Sequence, residues 1–149
     1  MNIFFDRLRK RTKTAGMHAI FGVVSSFFTF ATIAPAAADS CWWHNGSLMR
    51  LQAQGNQRWF SYERPRAGLS VGRGTLLFNG RKSGNWYSGT ARVFSKYCPD
   101  TPLEYHVEGP VQADQLGVTM HGDREVHKRC RGTGRWTRDT LVFTYAKKC

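Results

Sequence analysis

Two β-prone runs joined by a short turn, within Thr75 to Cys98, constrain this chain more than any other feature. Thr75-Leu-Leu-Phe-Asn-Gly80 leads through Arg81-Lys-Ser-Gly84 into Asn85-Trp-Tyr-Ser-Gly-Thr-Ala-Arg-Val-Phe-Ser95. Apolar runs flanking a Gly-bounded turn are the signature of a β-hairpin. In the second run Tyr87, Gly89, Ala91 and Val93 share one face, and Ser88, Thr90 and Arg92 the other. A period of two means a strand buried on one side only.

The chain repeats this design. Met49, Leu51 and Ala53 alternate with Arg50, Gln52 and Gln54, and Gly55-Asn56 turns into Gln57–Glu63, which sets Phe60 and Tyr62 against Trp59 and Ser61. A Pro- and Gly-containing loop, Arg64 to Arg73, precedes the central hairpin, and Cys98-Pro-Asp-Thr-Pro102 breaks the chain after it. Leu103, Tyr105 and Val107 then alternate with Glu104, His106 and Glu108, and Leu116, Val118 and Met120 with Gln115, Gly117 and Thr119. Gly122 to Lys128 reads as a charged loop, Arg129 to Gly134 as a seventh strand, and Leu141, Phe143 and Tyr145 mark an eighth. No helical period follows residue 40. Eight short strands predict an all-β, antiparallel up-and-down meander closing as a barrel, which buries one face and removes the edges. Two packed sheets are the alternative.

The first 38 residues read as a signal peptide, leaving a single disulfide-stapled domain over 39–149. Arg7, Arg9, Lys10, Arg11 and Lys13 form a basic leader, Ala19 to Ile33 an uncharged apolar run, and Ala36-Ala37-Ala38 a small-residue cleavage site. The apolar run falls short of the ~20 residues a membrane-spanning helix needs. A periplasmic or secreted protein with no stable membrane insertion of the mature chain is expected. The whole chain carries 22 Lys/Arg and 10 Asp/Glu; without the leader's five basic residues and one Asp, 17 and nine remain, a net charge of +8. Cys41, Cys98, Cys130 and Cys149 all lie in the exported part, an even set at wide spacing that reads as two disulfides and not as a metal site. In a meander whose first strand follows Cys41, all four cysteines fall at one end. Strands one and eight become neighbours on closure, so Cys41 pairs with Cys149 and Cys98 with Cys130.

Candidate chemistry is sparse. His121, Asp123, Glu125 and His127 are metal-compatible, but nothing makes them converge, and Arg124, Lys128 and Arg129 put positive charge beside them. Ser47 and Ser88 lack a nucleophile elbow. Glu104 and Glu108 stand roughly 13 Å apart on one strand face, too far for paired carboxylate catalysis. A non-enzyme without cofactor or metal is the reading. Phe60, Phe78, Tyr87, Tyr105, Phe143 and Tyr145 read as core, and Trp59, Trp86 and Trp136 as outward.

Two resemblances stand beside this reading. His44-Asn-Gly-Ser47 with Met49, Tyr62 with Pro65-Arg66 and Gly68-Leu69, Gly74-Thr-Leu-Leu-Phe78, Tyr87-Ser-Gly-Thr-Ala91 through Phe94 to Cys98, and then Gly109, Cys130 and Leu141-Val-Phe143 resemble an uncharacterised family of small exported α-proteobacterial proteins. That resemblance implies an exported β domain and no activity. Trp43-His-Asn45-Gly-Ser47 with Met49 is similar to the first strand of the avidins, a likeness confined to that strand. It implies biotin contacts at Asn45 and Ser47.

The basic loops suggest instead that function lies on one rim. Arg64, Arg66, Arg73, Lys96, Tyr97, Arg124, Lys128 and Arg129 are its expected ligand-binding residues. The expected ligands are anionic, acidic polysaccharide or phosphate-bearing polymer, and the partner an anionic polymer or acidic protein surface met by a monomer. The alternative is a secreted inhibitor of an enzyme such as a lysozyme or protease. The mature protein is expected to begin at Asp39. Intact mass of the exported product checks this; a product retaining Ala19 to Ile33 would mean a membrane anchor.

Overall fold

The computed structural model describes residues 38–149, so the signal-peptide reading lies outside the described residues. Eight strands run in order: β1 Ala38–His44, β2 Ser47–Gln54, β3 Gln57–Arg64, β4 Leu76–Ser83, β5 Trp86–Ser95, β6 Cys98–Pro110, β7 Gly117–Lys128 and β8 Arg131–Lys148. Each pairs antiparallel with the next, and β1 pairs with β8, giving a closed barrel. The alternative of two packed sheets is thereby set aside.

The strand boundaries differ from the sequence reading in two places. β1 was not expected at all. Asn45 and Gly46 both have positive φ, 46° and 75°, the geometry of a two-residue turn that twists as the strands do, and they fold β1 back onto β2. At the other end, Gly122 to Lys128 is no loop: β7 runs through it, and β8 is one continuous strand from Arg131. The tip of the β7–β8 hairpin projects beyond the barrel wall. Residues 129–136 are exposed on both faces, so no apolar alternation marks them as strand.

These shifts relocate the cysteines. The structure joins Cys41 to Cys149 and Cys98 to Cys130. Because Cys41 lies within β1 and does not precede it, its bridge sits at the end where β1 begins and β8 finishes. Cys98 and Cys130 sit at the opposite end, here called the mouth, with the β1–β2, β3–β4, β5–β6 and β7–β8 connections. The expected single cysteine rim does not exist.

The inward face is a column of aromatic rings. Phe143 stacks on Phe60 with centroids 3.9 Å apart, Phe60 meets Phe78 at 6.3 Å, and Phe78 stacks on Tyr87 at 6.4 Å. Trp42 sets its edge against both Phe60 and Tyr145. Met49, Met120, Val107 and Val118 fill the remaining space and are fully buried. Fully burying such a side chain stabilises by about 1.5–3 kcal/mol. The column plugs the barrel below the mouth.

β6 and β7 form the loosest seam. Their pairing is confined to Glu108↔His121 and the bridge Val111↔Val118. Gly109 and Gly122 let the two backbones approach closely there, since a Cβ at Gly122 would lie 2.0 Å from the His106 carbonyl oxygen. Toward the mouth the strands part. Pro99 and Pro102 remove two backbone donors from that stretch of β6, consistent with an unpaired edge.

Phe60→Ala is expected to cost about 3–5 kcal/mol in chemical denaturation, because the cavity opens between three rings. Removing Cys41–Cys149 should cost more than removing Cys98–Cys130, about 4.8 against about 3.7 kcal/mol on the chain-entropy model. Paired Cys→Ser variants compared by urea midpoint check the order.

Candidate functional site

Above the aromatic column the mouth holds a cavity of about 150 Å³. His44 and Asn45 reach it from the end of β1, Tyr62 from β3, Tyr105 from β6, and Asp139 with Thr140 from β8. Leu69 and Val71, from the β3–β4 loop, cover it and pack against the core. That loop is anchored at both ends. Ser47 Oγ, fully buried, accepts the Arg66 N–H at 3.0 Å, and the Tyr62 carbonyl accepts the Gly74 N–H at 2.7 Å.

A polar network floors one side of this cavity. Asp139 Oδ2 accepts the Tyr105 hydroxyl at 2.8 Å and Arg124 Nε–H at 3.0 Å, while Oδ1 accepts the Thr140 N–H at 2.9 Å. Burial pushes the Asp139 carboxyl up, but these three donors and the guanidinium charge outweigh it, so its pKa lies below the ordinary carboxylate value. Tyr105 is driven the other way. Its burial, and then its bond to the Asp139 carboxylate and that charge, hold the phenol pKa well above the ordinary value. The pair therefore stands as carboxylate and intact phenol at neutral pH.

His44 completes the arrangement. Its ring stacks on Phe143 at 4.6 Å, and Nδ1–H donates to the Val142 carbonyl at 2.9 Å. A carbonyl only accepts, so the proton sits on Nδ1 and the Nε2 lone pair faces Asn45, whose Nδ2 lies 3.4 Å away. Burial lowers the His44 pKa below 6.5 against the Val142 bond, which raises it. Burial also raises the Tyr62 phenol. The cavity thus presents neutral donors and acceptors around two ion pairs, Asp139 with Arg124 and Arg92 with Glu104, with Arg92 also donating to Asn79 Oδ1.

A second hollow, a slot of about 460 Å³, opens where β6 and β7 part. Val93 lines both it and the cavity. Of the eight residues expected on a binding rim, Tyr97, Arg124, Lys128 and Arg129 line this slot. Arg64, Arg66, Arg73 and Lys96 line neither hollow. Arg64 lies over the Trp43 ring at 5.7 Å, Arg73 pairs with Glu63, Lys96 lies over the Tyr97 ring at 5.1 Å, and the Arg66 side chain packs beside Gly46. Lys147 and Lys148 stand at the other end of the barrel. Of the two avidin-like positions, Asn45 lines the cavity and Ser47 is committed to the β3–β4 loop. His121, Asp123, Glu125 and His127 do not converge; among the described residues no group of three or more acids, histidines or cysteines is placed to hold a metal.

Sequence reasoning missed Asp139, which fell between its seventh and eighth strands, and left Tyr105 as core. The signal was present: Asp139 continues the inward register of Leu141, Phe143 and Tyr145 by one step.

No family model matches the chain, and no curated protein matches it. Solved structures do. The crystal structure of a rhizavidin–biotin complex is similar with a TM-score of 0.50 and 14% identity, covering 75% of this chain and 94% of that one. Intact afifavidin in its apo form is similar with a TM-score of 0.46 and 22% identity over 76% of this chain and 84% of that one. The chain is thus similar in structure to avidin-like proteins, and the likeness establishes the fold. It also corrects the expected function. The similar barrel was solved around a small molecule, not a polymer or an enzyme. The polyanion rim, the inhibitor alternative, and the partner expected as a polymer or acidic protein are withdrawn. The physical reason is on this surface: four of the eight rim residues are held against local partners and are dispersed around the mouth. The expected monomer is withdrawn as well; β1 and β8 turn Trp43 and Val142 outward, 44% and 48% exposed, so this wall carries exposed apolar surface.

Stability should fall as the medium is acidified. For His44, with a folded pKa below 6.5, the unfolded chain takes up the proton first. Its contribution is full above pH 6.5 and is lost as pH falls through the folded value. Asp139 acts in the same direction below its unfolded 3.8. Melting temperature across pH should show both arms, with His44→Phe, which keeps the ring stack, flattening the first and Asp139→Asn the second.

Proposed function

We propose that this protein is an exported, non-enzymatic binding protein for a small molecule whose polar head enters the mouth of the barrel. The observation that carries the reading is the cavity itself: a closed barrel plugged by aromatic rings below, with His44, Tyr62, Tyr105 and Asp139 turned inward above them. Small-ligand sites are concave, mainly apolar and fixed by a few placed polar groups. The hollow is smaller than the 300–1,000 Å³ common for such sites, so it takes a compact head group and not a whole ligand. Its groups are neutral donors and acceptors or ions already paired, Asp139 with Arg124 and Arg92 with Glu104, which suits an uncharged head bearing both N–H and C=O.

Two disulfides are compatible with export. The leader reading supports a mature chain over 39–149 in the periplasm or the medium. The similarity to a barrel solved with biotin makes biotin the first probe.

Isothermal titration with biotin, and with cyclic ureas and amides, tests the reading. Binding by one of these is expected, with Tyr105→Phe combined with Asp139→Asn weakening it by tenfold or more, about 1.4 kcal/mol. If none of these probes bound, or if the double variant bound as tightly as wild type, the cavity would not be the site.

A further inference from the structure

We infer that the outer wall over β5 to β8 carries a second binding site, for a short uncharged oligosaccharide. This groove, of about 420 Å³, lies on the outside of the barrel and shares no residue with the mouth cavity. Its size falls within the range common for small-ligand sites. The inference stands apart from the small-ligand reading above.

The groove follows the β6–β7 seam where the two strands approach most closely. Gly109 and Gly122 line it. A Cβ at either would lie 2.0 Å from a carbonyl oxygen of the opposite strand, that of Thr119 or His106, so this part of the lining stays bare backbone. Strand register sets the side chains around it. Trp86 stands opposite Pro110 in a first outward row, and Ser88, Glu108, His121 and Thr140 form the next. Asp123 opposite Arg138 belongs to a third, with His106 two residues from Glu108 on β6. At ~3.3 Å per residue the first and third rows lie roughly 13 Å apart along the strands. That is longer than one sugar ring, and it suits a short chain of them.

The two ends differ in chemistry. Trp86 is 45% exposed and is held on a strand, so its indole offers an apolar platform to the C–H face of a sugar ring. Beyond it stand planar polar groups that are only lightly engaged. The contact of Glu108 with His106 Nε2, at 3.8 Å, is too long for a hydrogen bond, which leaves the carboxylate open to neighbouring hydroxyls. His121 is fixed by Nδ1 against Thr140 Oγ1 at 3.0 Å, and its other ring nitrogen is left for a ligand. Arg138 and Asp123 are exposed and 3.5 Å apart, a loose pair whose guanidinium keeps further donors. A sugar hydroxyl both donates and accepts, and this set answers both.

Other ligands match less well. With Asp123 paired to Arg138, Glu108 leaves the groove net negative, so phosphates and acidic sugars are repelled. A metal ion has no seat: the histidines and acids lie side by side along the wall, and among the described residues no three such groups are placed to hold one.

The test is titration calorimetry with cellotetraose, maltotetraose, mannotetraose and the N-acetylglucosamine tetramer. The glucosamine tetramer and tetragalacturonate serve as cationic and anionic controls. At least one neutral tetramer is expected to bind, and more tightly than either control. Trp86→Ala should weaken that binding by about tenfold or more, and Trp86→Phe, which keeps a ring, should restore part of it. Glu108→Gln should weaken it as well. Both side chains are exposed, so these variants should fold. Tyr105→Phe with Asp139→Asn should leave saccharide binding unchanged, which separates this wall from the mouth cavity. No binding by any neutral tetramer, tighter binding of a charged control, or full affinity in Trp86→Ala would overturn the inference.

Discussion

The pairing of β1 with β8 is the constraint on which the rest of this structure depends. It converts an eight-strand sheet with two open edges into a barrel with none. It also completes the core. Trp42 on β1 stands between Phe60 and Tyr145, so without β1 the aromatic column would be open to water along one side. The register slips between Cys41 and Trp42, a bulge that lets Cys41 turn inward toward Cys149 while Trp42 keeps its place in the column. Packing, hydrogen bonding and covalent closure coincide at this seam. The mouth cavity inherits its shape from it, because His44 ends β1 and hydrogen-bonds across to Val142 on β8.

The β6–β7 seam shows the opposite solution. Closure elsewhere is tight enough that one seam can part without exposing the core, since Val107, Val118 and Met120 remain fully buried beneath it. The Cys98–Cys130 bridge spans the parted ends and limits how far they separate. Each disulfide therefore has a distinct mechanical role. One reinforces a seam that is already paired, and the other replaces pairing that is absent.

The fold class was legible in the sequence because barrel strands bury one face and so print a period of two. Met49/Leu51, Phe60/Tyr62 and Leu141/Phe143 could hardly be read otherwise. The strand count came out at eight through two errors that offset each other: β1 was omitted, and β8 was divided. β1 was missed because the expected cleavage site runs directly into it, and because Asn45-Gly46 was taken as a motif instead of a hairpin turn. β8 was divided because its first residues leave the barrel as a two-stranded ribbon, where neither face is buried and polarity carries no phase. The cysteine rim failed for the same reason. Parity arguments depend on which strand is counted first, and one omitted strand moves Cys41 to the other end. The site was less legible. Asp139 and Arg124 occupy inward positions at the mouth, and inward polar residues look like loop until a partner across the barrel is known. Their partners lie fifteen and thirty-four residues apart in sequence, Arg124 and Tyr105 respectively from Asp139.

The placement of that carboxylate has a consequence for what the mouth can accept. A half-buried acid is costly unless its charge is matched and its lone pairs are filled. Asp139 meets both conditions, with Arg124 supplying charge and Tyr105 and the Thr140 N–H supplying further donors. His44 is held neutral by burial, and Tyr105 keeps its proton. The cavity is therefore electrically balanced before any ligand arrives. A charged head entering it would lose its water without finding an uncommitted counter-ion among these groups. A neutral head with donors and acceptors in a rigid plane would exchange water for groups already fixed in place. Tyr105 is bonded to Asp139, Asp139 to Arg124, and His44 to Val142, so little side-chain freedom remains to be lost on binding. The same bonds that hold Asp139 ionised thus leave the cavity balanced, which under the proposed small-ligand reading favours an uncharged head.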